Sequence, residues 1–361
     1  MVTPTRPPAN AFVKVARRVY NPIGFAKGYN FVLYVIFAGA LLGFCLARLQ
    51  FLAINGIFCN LNSTTGSAAP GECYWYSMRR YHIGIILHLA TILPAGILAV
   101  FQFVPGIRHN YLIYHRVAGY LVILLVLLSI AGALMITDHS FGGHIATQAA
   151  VGLLAIASTL AILNAYYNIK RLQIDQHRAW MLRVWFWMSS IVTLRIIQQF
   201  SAIIISKYYS RGWYQIMPCA ELLYIANSVH MPVEAIYGMY PACAPGNANL
   251  TIDGQVVVKA DHDERPEQQG AALGITFPMA MWLALVIHAV GVEVYLALTP
   301  REAERLRKVS YQRQLEAGMA NPGNAGLVPE RFGDMDVWEP QLEQHTAGSS
   351  VTVQMEEGPE K

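Results

Sequence analysis

Apolar and polar segments alternate along the chain in a pattern that is typical of membrane proteins. Six predominantly apolar runs, each about 18 residues or longer, cover positions 31–54, 83–104, 116–137, 145–167, 184–205 and 277–298. A run of that length crosses the hydrocarbon core of a bilayer as a helix. The pattern therefore predicts an all-α, polytopic membrane protein, a six-helix transmembrane bundle with a four-helix core made by spans two to five.

The polar segments divide the chain around a transmembrane domain at 28–300. We expect a cytosolic N-terminal segment at 1–27, a long lumenal connection between spans five and six at 206–276, and a cytosolic tail at 301–361. The tail begins with a short charged helix and then becomes rich in Gly, Pro and Glu, which is a composition typical of disorder.

Residues 218–243 within the long connection are aromatic and partly apolar, and they allow two interpretations. We expect a lumenal helix that lies on the core. A seventh span is the alternative, but it would place Glu221 and Glu234 in the membrane, where carboxylates are costly.

Composition excludes several classes of protein. The chain is 55% hydrophobic and 13% charged, about half the charge of an ordinary soluble domain. Its net charge of +4 is modest, and no basic block is interleaved with aromatic residues, so we expect no nucleic-acid partner. The motifs of phosphate loops, dinucleotide turns, nucleophile elbows and zinc proteases do not occur, which disfavours a soluble type of enzyme domain.

The positions of Lys and Arg predict the orientation of the spans. Basic residues are concentrated in the N-terminal segment, in the connections after spans two and four, and directly after span six. By the positive-inside rule both termini are cytosolic. The first apolar run is too long for the core of a cleavable signal peptide, which is about 7–15 residues, so we interpret it as an uncleaved signal anchor.

Two N-glycosylation sequons lie in connections that this topology places in the lumen. They are Asn62-Ser63-Thr64 and Asn249-Leu250-Thr251. Sequons on the lumenal side can be glycosylated. We therefore expect a glycoprotein of the secretory pathway, in the endoplasmic reticulum, plasma or vacuolar membrane.

Four of the five cysteines lie in the same two connections, Cys59 and Cys73 in the first and Cys219 and Cys243 in the second. Thiols in an oxidising compartment tend to pair. Four cysteines allow three pairings, and we expect Cys59–Cys73 and Cys219–Cys243 because each pair then closes one loop. Four free thiols are the alternative.

Four histidines recur near the ends of the central spans. His88 and His144 fall near one membrane face, and His115 and His177 fall near the other. Neutral imidazoles on facing helices are the usual axial ligands of b-type haem, so these pairs predict two haem sites. Histidines that cap helix ends or bind lipid phosphates are the alternative. No Cys-x-x-Cys-His motif is present, so any haem would be bound non-covalently.

Span five supplies a second group of candidate residues. Arg195 lies near mid-membrane, 18 positions after His177, which places both on one stripe of a straight helix. An arginine in the bilayer must find a partner or bind an anion, and Glu293 on span six is a candidate partner. These three residues predict an acid–base site, and a purely structural ion pair or hydrogen-bonded network is the alternative.

Three arginines beside the histidines are candidates for binding an anionic group of a cofactor or substrate. They are Arg116, Arg178 and Arg183. For Arg195, the anions that would suit its guanidinium group are a haem propionate, a carboxylate substrate or a diphosphate.

Two motifs give the chain a resemblance to a known family. Span three begins near His115-Arg116-Val117-Ala118-Gly119, and Gln176-His177-Arg178-Ala179-Trp180-Met181-Leu182-Arg183 precedes span five. With the histidine in span two, they are similar to the membrane family called domain of unknown function 2306, over about residues 80–205. The resemblance implies no established activity. The pairing of spans two with four and three with five resembles, in topology only, the cytochrome b561 family.

Three classes of function remain. The first is electron transfer by b-type haem with an electron donor as partner. The second is a membrane-embedded acid–base enzyme, of the cyclase or isomerase type, that acts on a lipophilic small molecule. The third is a scaffold or transporter without chemistry. The sequons and lumenal cysteines favour a eukaryotic source, and among eukaryotes a fungus. An enzyme of the second class would then act in a fungal secondary-metabolite pathway.

Overall fold

The computed structural model describes residues 7–64, 66–208, 212–247 and 253–340, and the chain forms helices over most of them. In chain order the α-helices are α1 Ala11–Tyr20, α2 Gly28–Arg48, α3 Glu72–Tyr76, α4 Arg79–Gln102, α5 Pro105–Asn110, α6 Leu112–Ile136, α7 Ile145–Lys170, α8 Ile174–Met188, α9 Ser190–Tyr208, α10 Cys219–Ser228, α11 Val233–Met239, α12 Pro266–Ala297 and α13 Pro300–Glu316. Two strands, β1 Tyr214–Pro218 and β2 Gln255–Lys259, form one antiparallel ribbon.

The predicted all-α polytopic fold is confirmed. Six helical segments of the described chain are long and apolar enough to cross a membrane, and we number them as spans one to six: Gly28–Leu52, Arg79–Gln102, Leu112–Ile136, Ile145–Lys170, Ile174–Tyr208 and Pro266–Ala297. Residues 218–243 do not form a seventh span. They form the short helices α10 and α11, which are ten and seven residues long and therefore too short to cross a bilayer.

Spans two and three pack closely against each other. A methyl group on Gly84 would lie 2.7 Å from Ile136, and one on Gly132 would lie 2.6 Å from the main-chain nitrogen of His88. Small residues allow two helix backbones to approach closely in a membrane, where packing rather than water exclusion drives association. This contact places His88 against span three.

Span five is broken at Ser189, so the straight helix assumed above is not present. α8 ends at Met188 and α9 begins at Ser190. The carbonyl oxygen of Phe186 lacks its regular helical donor beyond the break and instead accepts a hydrogen bond from Nδ1 of His288, at 2.6 Å. The Thr193 hydroxyl lies 2.8 Å from Nε2 of the same ring. His288, at the centre of span six, therefore stabilises the break.

The connection between spans five and six folds onto the bundle through its own small core. Alternate residues of β1 are buried, among them Met217, and they join Leu222, Ile225 and Ile236 of the helices that follow. Both predicted disulfides are confirmed, Cys59–Cys73 and Cys219–Cys243, each with a Cα–Cα distance of 5.5 Å. We call the side of the bundle that carries them the disulfide face.

Contacts divide the chain into two compact units. Over the described residues, the first comprises the chain up to 165 together with 178–299, and the second comprises 166–177 together with the chain from 300 onward. The second unit corrects the expectation of disorder for residues 317–340. Gln314 is fully buried, and it donates from Nε2 to the Arg171 carbonyl at 2.9 Å and accepts from the Gly323 amide at 2.6 Å. Residues 341–361 lie outside the described residues.

Candidate functional site

A buried carboxyl group lies on the disulfide face, where three connections of the first unit meet. Glu72 begins α3 and is 7% exposed. Its Oε2 accepts a hydrogen bond from the Tyr76 hydroxyl at 2.7 Å, and its Oε1 accepts one from the Phe141 amide at 2.6 Å. Tyr76 also lies 3.2 Å from the Ser140 hydroxyl. The carboxyl is therefore held in one orientation by two donors.

The turn that carries Phe141 has an unusual backbone. Phe141, Gly142 and Gly143 have φ values of 51°, 81° and 64°, a conformation that disfavours residues other than glycine. Spans three and four are separated by so few residues that the turn must be tight. Its amide reaches Glu72 as a consequence, and the ring of Phe141 stacks on Phe277 of span six with centroids 4.2 Å apart.

Arg195 of span five lies beside this stacked pair. Its guanidinium carbon is 4.6 Å from the centroid of the Phe141 ring and 5.6 Å from that of Phe277, which is a cation–π arrangement. Nη1 donates to Oε1 of Gln198 at 3.0 Å. Arg195 interacts electrostatically with Glu72 and is repelled by Arg48 of span one.

Glu221 of α10 is a second buried carboxyl in the same place. It is 8% exposed, and its Oε2 accepts a hydrogen bond from the Trp75 indole at 3.2 Å. Gly71 has a φ of +95°, and a Cβ atom there would collide with the Glu221 carboxyl. The glycine thus allows Glu221 to lie against the residue that precedes Glu72.

The electrostatics of this acidic pair differ from those of ordinary surface carboxyls. Burial raises the pKa of Glu72 to about 7, against the smaller lowering effects of Tyr76, Phe141 and Arg195. Burial also raises the pKa of Glu221 to about 7, and the negative charge of Glu72 adds to the effect. Burial and the Glu72 charge raise the pKa of Tyr76 well above its ordinary value. Two carboxyls therefore titrate near neutral pH within one polar cluster.

The predicted haem ligands have distinct surroundings. Nδ1 of His88 lies 3.2 Å from the Ser129 carbonyl oxygen and 2.9 Å from the Ser129 hydroxyl. Nε2 of His144 is buried and hydrogen-bonds to no described residue, and burial lowers the pKa of that ring. A haem-ligating histidine usually donates its other ring nitrogen to a carbonyl, so the contacts of His88 fit an axial ligand. His115 lies near the start of span three and His177 in the first turn of α8, and their haem role stays a prediction.

The predicted partnership of Arg195 with Glu293 is not observed. Glu293 instead receives two hydrogen bonds from Arg183, at 2.6 and 2.9 Å. This pair joins α8 to span six and accounts for both residues structurally. Arg195 lies on the other side of the break at Ser189, beside Glu72.

The other two predicted anion-binding arginines are not brought to this site. Arg178 donates to the Tyr295 hydroxyl at 3.3 Å, and that hydroxyl donates to Asn30 at 3.2 Å. Arg116 is exposed on span three. Arg178 therefore has a visible structural contact, and the cofactor roles of both residues remain predictions.

Sequence reasoning missed Glu72, Tyr76 and the catalytic potential of Glu221. One signal was available, because Glu72 is the first acidic residue of the chain and lies within Gly71-Glu72-Cys73-Tyr74-Trp75-Tyr76, an aromatic segment next to a disulfide cysteine. An isolated acidic residue in such a segment is either buried with hydrogen-bond partners or exposed at a functional site. Only the folded chain shows that Glu221, some 150 positions later, lies beside it.

The six apolar spans and the buried polar cluster define a polytopic helical membrane protein with a candidate acid–base site. Residues 85–225 match the model of a family described as predicted membrane protein, DUF2306. The predicted resemblance to that family is thus confirmed, and the matched segment contains span three, span four and Arg195. The resemblance to cytochrome b561 stays a prediction.

One curated relative is similar over most of its length. It is the Ava biosynthesis cluster protein G of Aspergillus versicolor, which is 23% identical and aligns with 77% of this chain and 91% of the relative. No solved structure matches the chain. The name of this relative says that it is encoded in a biosynthesis cluster.

Proposed function

We propose that this protein is a membrane-embedded acid–base enzyme that cyclises or isomerises a lipophilic small molecule in a fungal biosynthetic pathway. One observation carries the proposal: a buried Glu72 carboxyl is held by two hydrogen-bond donors and has a pKa of about 7. Such a group is present in both protonation states near neutral pH, as general acid–base catalysis requires. Similarity to a biosynthesis cluster protein of a fungus supports the type of pathway.

In the proposed reaction the substrate gains one proton and then loses another. Protonated Glu72 acts through the Tyr76 hydroxyl, which passes its own proton to a carbon–carbon double bond of the substrate and takes the proton of Glu72 in its place. The π electron pair forms the new carbon–hydrogen bond. The resulting carbocation is attacked by a second double bond of the same molecule, or rearranges. Loss of a neighbouring proton to the Glu221 carboxylate forms the final double bond, and return of that proton to Glu72 completes the cycle. The product is an isomer of the substrate, so no oxidant is consumed.

The residues around Glu72 have defined roles in this scheme. Tyr76 and the Phe141 amide position the carboxyl, because each binds one of its oxygens. Arg195 stabilises the carboxylate that remains after proton transfer, since an opposite charge nearby favours the ionised form. The guanidinium itself is kept in place by Gln198 and by the two phenylalanine rings.

Metabolite analysis tests the proposal. A strain that lacks the gene should accumulate a precursor with the same molecular formula as the product of the complemented strain. Complementation with Glu72→Gln should lower product formation by about 100-fold or more, the usual contribution of a general acid or base. A precursor and product that differ by two hydrogens or by oxygen would contradict an isomerisation and indicate redox chemistry.

An exposed acid of the same region supplies the control. Glu234 lies on α11, and its side chain is exposed. Glu234→Gln should leave product formation unchanged. Protein abundance and thermal unfolding temperature must be compared for both variants, so that loss of folding is not taken for loss of catalysis.

The haem interpretation is a second candidate, favoured by the hydrogen bonds between Nδ1 of His88 and Ser129. When Nδ1 donates to the Ser129 carbonyl, Nε2 carries the lone pair that an iron ligand needs. A bound haem would supply one-electron chemistry. The protein purified from cells supplied with a haem precursor should then show a Soret absorbance band that His88→Ala removes. A protein without that band would contradict this candidate and leave the acid–base proposal intact.

A further inference from the structure

A cleft of about 570 Å³ opens on the disulfide face, where span one ends and span two begins. Its walls include Ile54 after span one, Arg79, His82 and Ile83 in the first turns of span two, and Tyr224 of α10. The volume lies within the range of small-molecule sites, about 300–1,000 Å³. The ends of two membrane spans meet here, so we expect the cleft to lie near the boundary between hydrocarbon and headgroups.

Tyr76 connects this cleft to the buried carboxyl. Tyr76 is one of the residues that line the cleft, and its hydroxyl lies 2.7 Å from Oε2 of Glu72. A molecule bound in the cleft would therefore be separated from the proposed acid by one tyrosine. Tyr76 is 5% exposed, so the carboxyl behind it is shielded from water.

The cleft carries basic groups and no acidic one. Arg79 is exposed and forms no ion pair within the described part of the chain. The main-chain carbonyl of Tyr76 lies 3.0 Å from Nδ1 of His82. The neighbouring Arg80 is engaged elsewhere, because it lies 3.5 Å from the Asp138 carboxylate. Ile54 and Ile83 supply apolar surface.

We propose that this cleft binds the carboxylate head of an amphiphilic substrate, with Arg79 as the carboxylate-binding residue. That the bound molecule is a substrate rests on the proposed acid–base function. An exposed arginine at the membrane boundary binds a carboxylate with two parallel hydrogen bonds. The apolar part of the molecule then lies along Ile54 and Ile83 toward Tyr76, and the molecule enters from the bilayer without crossing water.

Photolabelling of the full-length protein in phosphatidylcholine nanodiscs tests this site. The probe is a palmitate that carries a diazirine on its chain. Labelled peptides should contain residues near Ile54 or Ile83, and unlabelled palmitate should compete whereas its methyl ester should not. Arg79→Gln should lower labelling about tenfold or more, as expected when the two charge-assisted hydrogen bonds are replaced by at most one neutral one. Arg79→Lys should retain part of the labelling.

Arg80→Gln is the matched control, because Arg80 directly follows Arg79 in the chain but does not line the cleft and lies 3.5 Å from the Asp138 carboxylate. Arg80→Gln should change labelling less than twofold, because the ion pair that it removes is exposed and contributes little free energy. Equal labelling of Arg79→Gln and wild type, or labelling spread evenly over all six spans, would overturn the proposal. Competition by phosphatidylserine as strong as by palmitate would assign the cleft to a membrane lipid and would also overturn it.

The outcome separates this inference from the proposed function. If Glu72→Gln abolishes product formation while Arg79→Gln changes neither labelling nor product, the acid–base enzyme stands without this site. If labelling depends on Arg79 while Glu72→Gln has no effect on product, the cleft binds a carboxylate but the proposed chemistry fails.

Discussion

Nδ1 of His288 lies 2.6 Å from the carbonyl oxygen of Phe186 and joins span six to the break in span five. The break leaves that carbonyl without its helical donor, and a bilayer offers no water to replace it. His288 is 8% exposed. A histidine at the centre of a membrane span is thus explained by the helix end that it binds.

Replacing His288 should destabilise the bundle. His288→Ala leaves the Phe186 carbonyl without a donor, at about 1–3 kcal/mol in the free energy of unfolding. The thermal unfolding temperature of the purified protein in detergent measures the loss. Val290→Ala is the control, since Val290 is on the same helix and is 57% exposed. Equal shifts for the two variants would show that the hydrogen bond contributes nothing.

Stability should depend on pH through Glu72. Its folded pKa of about 7 is raised above the ordinary value of a glutamate, so the folded state holds a proton that the unfolded state releases. This contribution to stability is present below the unfolded pKa and is lost as pH rises through about 7, at about 1.4 kcal/mol per unit of pKa shift. Thermal unfolding between pH 5 and pH 8 should therefore show a decline for wild type that is smaller for Glu72→Gln. Identical pH profiles for the two proteins would contradict the raised pKa.

The Cys219–Cys243 disulfide should affect both stability and the site. It closes a loop of 24 residues around α10, which carries Glu221. Cys219→Ser with Cys243→Ser should lower the free energy of unfolding by about 3 kcal/mol and should also lower product formation. Non-reducing peptide mapping of wild type should find both disulfides. Free alkylation of all four cysteines in the native protein would refute the pairing. Dithiothreitol should destabilise wild type more than the variant, because the variant no longer has the Cys219–Cys243 disulfide to lose.

Glycosylation reports the orientation of the bundle. Asn62 is exposed, and its Nδ2 lies 3.1 Å from the Ser228 carbonyl, whereas Asn249 lies outside the described residues. We expect glycosidase to change the electrophoretic mobility of wild type, and replacing both asparagines by Gln to abolish the change. A glycan on a sequon engineered into 301–361 would contradict cytosolic termini.

The second unit should depend on Gln314. Its side chain is buried and binds Arg171, Gln173 and Gly323, so Gln314→Ala removes all three hydrogen bonds from this network. Limited proteolysis should then cleave 317–340 faster than in wild type. Gln312, two positions earlier, is exposed and donates a hydrogen bond to Glu316 on the same helix. Gln312→Ala should be cleaved like wild type. Equal cleavage of all three proteins would mean that the segment is not held by this network.

The sequence by itself determined the class of this protein, because the length and hydrophobicity of a membrane span are local properties. Spans of about 20 apolar residues have one stable solution in a bilayer, which is the helix. The disulfide pairing could also be predicted from the sequence. Each joins cysteines within one connection, so chain proximity alone made Cys59–Cys73 and Cys219–Cys243 the simplest pairing.

Tertiary structure decided which polar residues meet. Glu72 and Glu221 come from different connections, and no periodicity relates two positions that far apart in the chain. The assignment of Glu293 to Arg195 failed because Glu293 lies level with Arg183, which it binds. Arg195 is 12 residues further along span five, beyond the break at Ser189. Arg183 and Arg195 consequently have different neighbours. Where side chains of separate helices converge depends on packing and on such breaks, which the pattern of apolar residues does not encode.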